Sequence, residues 1–407
     1  MNYKLTNALC IVAMLLTTMN PVVSAEAPKY NNPTGNQLPI MAWYSIQPDS
    51  EQTAQRYQEL AEAGFNLSYA MLRSTQSVTK AINASRGTGV KLFVSCPELT
   101  KTPETTVNSF KNDEQVAGWF LCDEPKVPKF QELVELSKRV LAVDTTHLLY
   151  MNLFPIDFPA DRLGAPSYRD YVEQYARELA PGYLSFDHYP VVDYGKGITL
   201  RPRFYENLEI MLALSRRHHM PFWAFALATA HEVYPVPTRE HLRLQVFSNL
   251  AYGAQGIQYF TYWQPGAERW DFHNAPIDEK GQRTNVWYLL RDLNREISAL
   301  SYVFLGAEVI DVSHTGVDIP QGTHRLASLP YLFAGLQTSG EGVLVSHLRN
   351  GSKHYLMIVN RDVNRSQRVR LRVHSSVERI LPDGTPTAVS SNSQTLRPGD
   401  YLLYRWE

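Results

Sequence analysis

Between Pro39 and Leu305, short runs of apolar, β-branched and aromatic residues alternate with longer stretches whose apolar residues recur every three or four positions. The short runs are Ile40–Tyr44, Leu67–Met71, Lys91–Ser95, Val116–Leu121, Leu148–Met151, Tyr183–Phe186, Phe222–Ala226 and Gly256–Tyr262. Each lies near Gly, Pro, Asn or Asp punctuation, which predicts eight strands. Glu51–Ala63, Thr102–Lys111, Phe130–Val143, Tyr168–Leu179, Arg201–His218 and Thr238–Tyr252 predict helices between them, and Val286–Phe304 predicts a closing helix. Such strict strand-then-helix order implies right-handed crossovers and a parallel sheet, either a closed barrel or an open doubly wound sheet. Eight units favour closure. An open dinucleotide fold would also carry glycines after its first strand, where this chain has Tyr44-Ser45-Ile46-Gln47-Pro48. The expected fold is an α/β (β/α)8 TIM barrel over residues 26–304.

Beyond Leu305 the helical period disappears. Val343–His347, His354–Val359, Arg368–Val373, Arg379–Leu381 and Tyr401–Trp406 are β-rich segments separated by Asn350-Gly351, Pro382-Asp383-Gly384 and Pro398-Gly399-Asp400 turns. This predicts an antiparallel β-sandwich over residues 305–407, which either covers one flank of the barrel or binds sugar independently. At the other end, Lys4, the apolar run Ala8 to Leu16 and the small-residue site Val23-Ser24-Ala25 fit a secretory signal over residues 1–25. The apolar run is too short to span a bilayer, so an exported, secreted or periplasmic protein with no membrane span is expected.

Charge and composition narrow the partners. With 39 Lys+Arg against 40 Asp+Glu, no cationic excess exists for a nucleic-acid partner. Seven Trp, 23 Tyr and 16 Phe supply flat amphipathic faces that suit a carbohydrate substrate, although many must fill the core. Cys96 and Cys122 end consecutive predicted strands, where a disulfide and a pair of buried thiols are both geometrically open. No His-x-His follows the first strand, and no His-Glu-x-x-His, Gly-x-Ser-x-Gly elbow or phosphate loop occurs; no metal or cofactor is expected. Nothing in the sequence sets the oligomeric state.

A closed barrel gathers every residue just past a strand end at one mouth. That set contains Tyr44 after the first strand, Glu98 after the third, Asp123 and Glu124 after the fourth, and Asn152 after the fifth. It continues with Asp187, His188 and Tyr189 after the sixth, His231 and Glu232 beyond the seventh, and Tyr262 and Trp263 at the eighth. Several carboxylates between aromatic walls are the inventory for acetal hydrolysis, in which one protonated acid serves the leaving oxygen and a second carboxylate acts as nucleophile or base. Glu124 is the first candidate for the acid, because the apolar strand behind it can raise its pKa; the alternative is an Asp-Glu-Pro that merely starts a helix. Asp123, Asn152, His188, Tyr189, Tyr44, Tyr262 and Glu98 are candidate substrate contacts, and Trp263 is a candidate sugar platform. Arg201, Arg203 and Arg239 would suit an acidic sugar or a plain helix surface, and Asp271 and Asp278 read as loop acids.

Four segments resemble the clan A glycoside hydrolases, which include family 42 β-galactosidases and family 5 cellulases. Ala61-Glu62-Ala63-Gly64-Phe65-Asn66 resembles their turn into the second strand, and Cys122-Asp123-Glu124-Pro125 their fourth-strand Asn-Glu-Pro with Asp in place of Asn. Ser185-Phe186-Asp187-His188-Tyr189-Pro190 is similar to the family 42 Trp-Asp-x-Tyr-Pro, and Gly253-Ala254-Gln255-Gly256-Ile257-Gln258-Tyr259-Phe260 through Trp263 to the eighth-strand segment. The resemblance implies that Glu124 is the acid/base and that Trp263 floors the sugar site. It also implies a nucleophilic glutamate ending the seventh strand, where Phe222-Trp223-Ala224-Phe225-Ala226-Leu227-Ala228-Thr229-Ala230 has no carboxylate. Glu232 folding back, or Asp187 reaching across the mouth, would fill that role. A barrel that binds glycans without cleaving them is the alternative, and a metal-dependent hydrolase would need His188, His231 and Asp187 to converge.

Overall fold

A computed structural model describes residues 30–266 and 270–407; the expected secretory signal lies outside the described residues. All eight expected strands form and pair in parallel, in the order fifth, fourth, third, second, first, eighth, seventh, sixth. They span Ile40–Trp43, Leu67–Tyr69, Lys91–Val94, Val116–Asp123, Leu148–Asn152, Leu184–Phe186, Phe222–Leu227 and Ile257–Phe260. The ring closes where Leu153 pairs with Phe186 and its N–H donates to the Ser185 carbonyl at 2.8 Å.

Alternation along each strand divides the side chains between two layers. Met41, Trp43, Leu67, Tyr69, Phe93, Tyr150, Trp223 and Phe225 fill the interior of the ring. Ile40, Ala42, Leu92, Val94, Leu149, Phe222 and Ala224 face the surrounding helices. Such two-sided burial explains why these strands read as apolar runs without a polar face. Gly118 makes room inside: a Cβ there would lie 2.6 Å from Phe93 Cε1 and 2.4 Å from the Leu148 carbonyl oxygen.

The fourth strand carries a register shift between Phe120 and Cys122. Phe120 packs on the inner layer, whereas Leu121 and Cys122 both join the outer one. The extra outward residue turns Asp123 back toward the inside, a re-aiming that bulges commonly produce. Cys96 and Cys122 are buried free thiols, and burial pushes the Cys96 thiol up to about 11. Several elements escape the sequence pattern. A helix, Thr75–Ser85, joins the second and third strands, and a short hairpin, Val191–Asp193 with Ile198–Leu200, follows the sixth.

After the closing helices Asn285–Ala299 and Ser301–Phe304, the chain forms a six-stranded and a three-stranded antiparallel sheet. Three central strands, Val343–Asn350, Lys353–Asn360 and Tyr401–Trp406, bury both faces. Val343, Val345, Leu356, Ile358, Leu402 and Tyr404 pack toward the smaller sheet, while Leu344, Leu348, Tyr355, Met357, Val359 and Leu403 join the barrel's own core. The helix Arg239–Ala251 is caught between barrel and sheet, and every residue from Leu242 to Ala251 is buried. This burial on all sides explains its mixed apolar spacing.

Charge also links the two parts. Arg243 Nε donates to Asp400 Oδ1 at 2.6 Å and its fork engages Glu296, while Tyr401 donates to Glu296 at 2.8 Å. Arg239 donates to Asp400 at 3.0 Å. Removing the cation from this largely buried group leaves two carboxylates short of their counter-charge. Arg243→Ala is therefore expected to lower unfolding free energy by about 3 kcal/mol in urea titration at neutral pH. A change below about 1 kcal/mol would mean that solvent already screens the network.

Candidate active site

The strand ends open into one cleft of about 340 Å³. Asp123, Glu124, Asn152, Asp187, His188, Tyr189, His231 and Glu232 line it, so the mouth gathers most of the expected residues. Pairing of the fourth and fifth strands sets Asp123 beside Asn152. The Asn152 amide donates to Asp187 Oδ1 at 2.9 Å and to Asp123 Oδ1 at 3.3 Å, bridging two carboxylates. Its own oxygen accepts from Ser185 Oγ at 2.9 Å, and Ser185 in turn accepts from Gln258 at 2.9 Å. This buried chain fixes which end of the amide faces the acids.

Glu124 adopts φ 45°, and its N–H donates to the Asn152 carbonyl at 2.8 Å. Pro125 disfavours the right-handed helical region for the residue before it, and a left-handed non-glycine conformation costs about 1 kcal/mol or more. Tyr44 (φ 50°) and Glu232 (φ 47°), also beyond barrel strands, share that conformation. The acids do not cap a helix: Lys129 occupies the cap position of Phe130–Leu141. Among the described residues no hydrogen bond reaches the Glu124 carboxyl.

Electrostatics separates the three acids. Burial, then the charges of Asp187 and Asp123, pushes Glu124 well above the usual carboxylate range. Burial and the Asp123 charge also raise Asp187, against the Asn152 hydrogen bond, which favours its ionised form. Asp123, walled in by protein, is raised by burial to about 6, yet water reaches it from the open side. That solvent favours its charged form, so Asp123 ionises first.

A second wall is already charge-balanced. His188 is held by Asn207 at 3.0 Å and by Asp157 at 3.3 Å. Arg201 donates to Asp157 at 3.0 Å and to the Tyr234 hydroxyl at 2.9 Å. Burial pushes Asp157 up, but its hydrogen bonds and charge pairing with His188 and Arg201 outweigh this and hold it down at about 2. Of the three arginines suited to an acidic sugar, only Arg201 lines the cleft; Arg203 binds Glu206, and Arg239 binds Asp400.

Glu232 lies exposed at the rim, its N–H donating to Asp271 at 2.6 Å. Asp278 accepts from the backbone of Lys280 and Gln282 in a surface turn. His231 packs against Tyr234 and Phe272, with ring centroids 4.7 Å apart in both cases, and burial holds it neutral, down at about 4. Among the described residues no group of three His, Cys, Asp or Glu is arranged to hold a metal ion, and no helix is long and apolar enough to cross a membrane.

Four expected residues stay outside the cleft lining. Trp263 is only 5 % exposed and packs in the outer core, with the Arg56 guanidinium 5.2 Å above its ring; it is no sugar platform. Tyr262 is buried beside Phe65, ring centroids 5.4 Å apart. Glu98 belongs to the short helix Pro97–Lys101. Tyr44 turns back to accept the Trp263 N–H at 3.0 Å and leans on the inner layer. The lining residues missed in the sequence include Asp157, Tyr234 and Trp270. They lie on irregular loops several positions past a strand end, where no periodicity marks them.

Residues 164–300 match the family model Glyco_hydro_42, described as beta-galactosidase. This segment carries the last three barrel strands and, with them, Asp187 and Glu232, but not Glu124. No curated protein matches the chain in sequence. A catalytic mutant of a family 42 β-galactosidase from G. stearothermophilus is similar in structure at 9 % identity, covering 93 % of this chain and 99 % of the other, with TM-score 0.64. A β-galactosidase from Bacillus circulans sp. alkalophilus is similar at 10 % identity, covering 89 % and 98 %, with TM-score 0.60. A β-galactosidase from the Antarctic haloarchaeon Halorubrum lacusprofundi matches at 12 % identity over 64 % of this chain, with TM-score 0.49, and the chain spans 58 % of that protein's length. The barrel with its appended sandwich is thus the fold of known glycoside hydrolases, and the segment carrying its last three strands matches a glycoside hydrolase family model.

Proposed function

We propose that the chain cleaves O-glycosidic bonds of an oligo- or polysaccharide, with Glu124 as proton donor and Asp187 as its carboxylate partner. One observation carries this reading. Two acids face the same cleft, the Asp187 charge raises Glu124, and Asn152 donates to Asp187 but not to Glu124. Asp187 is therefore the group that ionises first of the pair, and Glu124 keeps a proton to give to the leaving oxygen. Asp123 adds negative charge beside them and favours the positive character that develops on the sugar ring. Asp187 then attacks the anomeric carbon or activates water against it, and the anomer of the released sugar separates these routes.

The missing carboxylate on the seventh strand favours a second reading, a barrel that binds glycans without cleaving them. Export, supported by the pattern over residues 1–25, would bring the cleft to glycans outside the cytoplasm. The family description makes β-galactosides the first substrates to test. Purified protein incubated with a polysaccharide and aryl-glycoside panel, with product anomers followed by NMR, is expected to release sugar from at least one member. Binding with no release from any would favour the second reading.

A further inference from the structure

The hairpin Val191–Asp193 with Ile198–Leu200 stands beside the cleft and has no part in the proposed chemistry. Its root is firmly held. Val191 and Val192 are buried, Asp193 N–H donates to the Val233 carbonyl at 2.8 Å, and Asn364 of the C-terminal sheets donates to the Ile198 carbonyl at 3.0 Å. Asp193 Oδ1 orders the tip by accepting from Gly195 and Gly197 at 2.7 and 3.1 Å. Those glycines have φ 79° and 97°, with open space where a Cβ would project. The tip carries Tyr194, which is 59 % exposed, whereas most tyrosines of this chain lie in the core. Its root continues into the cleft wall on both sides, through Val233 beside Tyr234 and through Arg201, whose N–H donates to the Pro190 carbonyl at 2.8 Å.

We propose that Tyr194 forms an outer subsite on which a further sugar ring stacks when an oligosaccharide chain occupies the cleft. This rests on the glycoside reading of the cleft and deepens it, since it makes the substrate a chain and not a lone sugar on a small leaving group. At about 340 Å³ the cleft is near the lower end of ligand-pocket sizes, so a longer glycan must run out over its rim. There an exposed aromatic ring on an ordered hairpin can cover the C–H face of a pyranose while the hydroxyls of both stay in water.

The test uses β-1,4-linked tetrasaccharides of galactose, glucose, mannose and xylose, with the 4-nitrophenyl monoglycosides of the same sugars. Calorimetry is expected to detect binding of at least one tetrasaccharide to the full chain. Tyr194→Ala should weaken that Kd about tenfold, and Tyr194→Phe, which keeps the ring, should restore it. The ratio of kcat/KM on tetrasaccharide to that on the matching monoglycoside should fall by a similar factor in the Ala variant. Wild-type binding by the Ala variant, equal losses in Ala and Phe, or no tetrasaccharide bound at all would each overturn the subsite. If monoglycosides are hydrolysed and tetrasaccharide binding ignores Tyr194, the subsite fails and the hydrolase stands. If binding depends on Tyr194 but nothing is cleaved, the subsite stands and the hydrolase fails.

Discussion

Glu124→Gln is expected to lower kcat about 10³-fold on any glycoside that the chain hydrolyses, while leaving Kd for that substrate within a few-fold. Glutamine keeps the volume and polarity of the side chain at φ 45° but has no proton to transfer. The second signature lies in stability. Glu124, Asp187 and Asp123 have folded-state pKa values above the value of about 4 expected in the unfolded chain. The folded protein thus holds protons that the unfolded chain releases. This contribution is fully present below about pH 4 and is lost as pH rises through the folded values. Glu124→Gln removes one of the groups responsible, so its melting temperature should exceed wild type by about 2 °C or more near pH 8 and by less near pH 5. Wild-type turnover in this variant would remove Glu124 from the proton-donor role, and an unchanged pH dependence of melting would mean that solvent already screens the cluster.

Asp187→Asn is expected to cost a comparable factor, about 10³ in kcat, and Glu232→Gln less than tenfold. The contrast follows from position: Asp187 is tied to Asn152 beside Glu124, and Glu232 stands in solvent at the rim. Neutralising Asp187 also removes one of the charges that keep Glu124 protonated. The alkaline limb of any residual activity should move to lower pH in Asp187→Asn, a shift that simple loss of packing would not produce. The reverse ranking, with Glu232→Gln inactive and Asp187→Asn active, would transfer the partner role to the loop beyond the seventh strand.

The ring of strands was legible because two-sided burial writes itself as apolar runs, and position past a strand end then brought Glu124, Asp187 and Asn152 to one mouth. The inward turn of Asp123 was not. Counting alternate residues from Phe120 puts Asp123 on the outer face, and only the register shift before Cys122 reverses it. Trp263 misled for a related reason. It follows the last strand, but the Arg56 guanidinium and the turn at Gly281 cover it, and both come from segments distant in sequence. Asp157 and Arg201 act as a pair across 44 positions of chain, which no local spacing announces. The helix over residues 239–251 was recognised from its start signal, whereas its burial on every side needed the C-terminal sheet to be seen against it.

That sandwiched helix bears on how the gene can be handled. A clone stopped near Leu305 would leave Phe247 without Tyr401 and Arg243 without Asp400, and its product should precipitate or stick to chaperones. The two halves have to be engineered as a single piece; exchanging the tail for a foreign module would mean redesigning the barrel's outer wall as well.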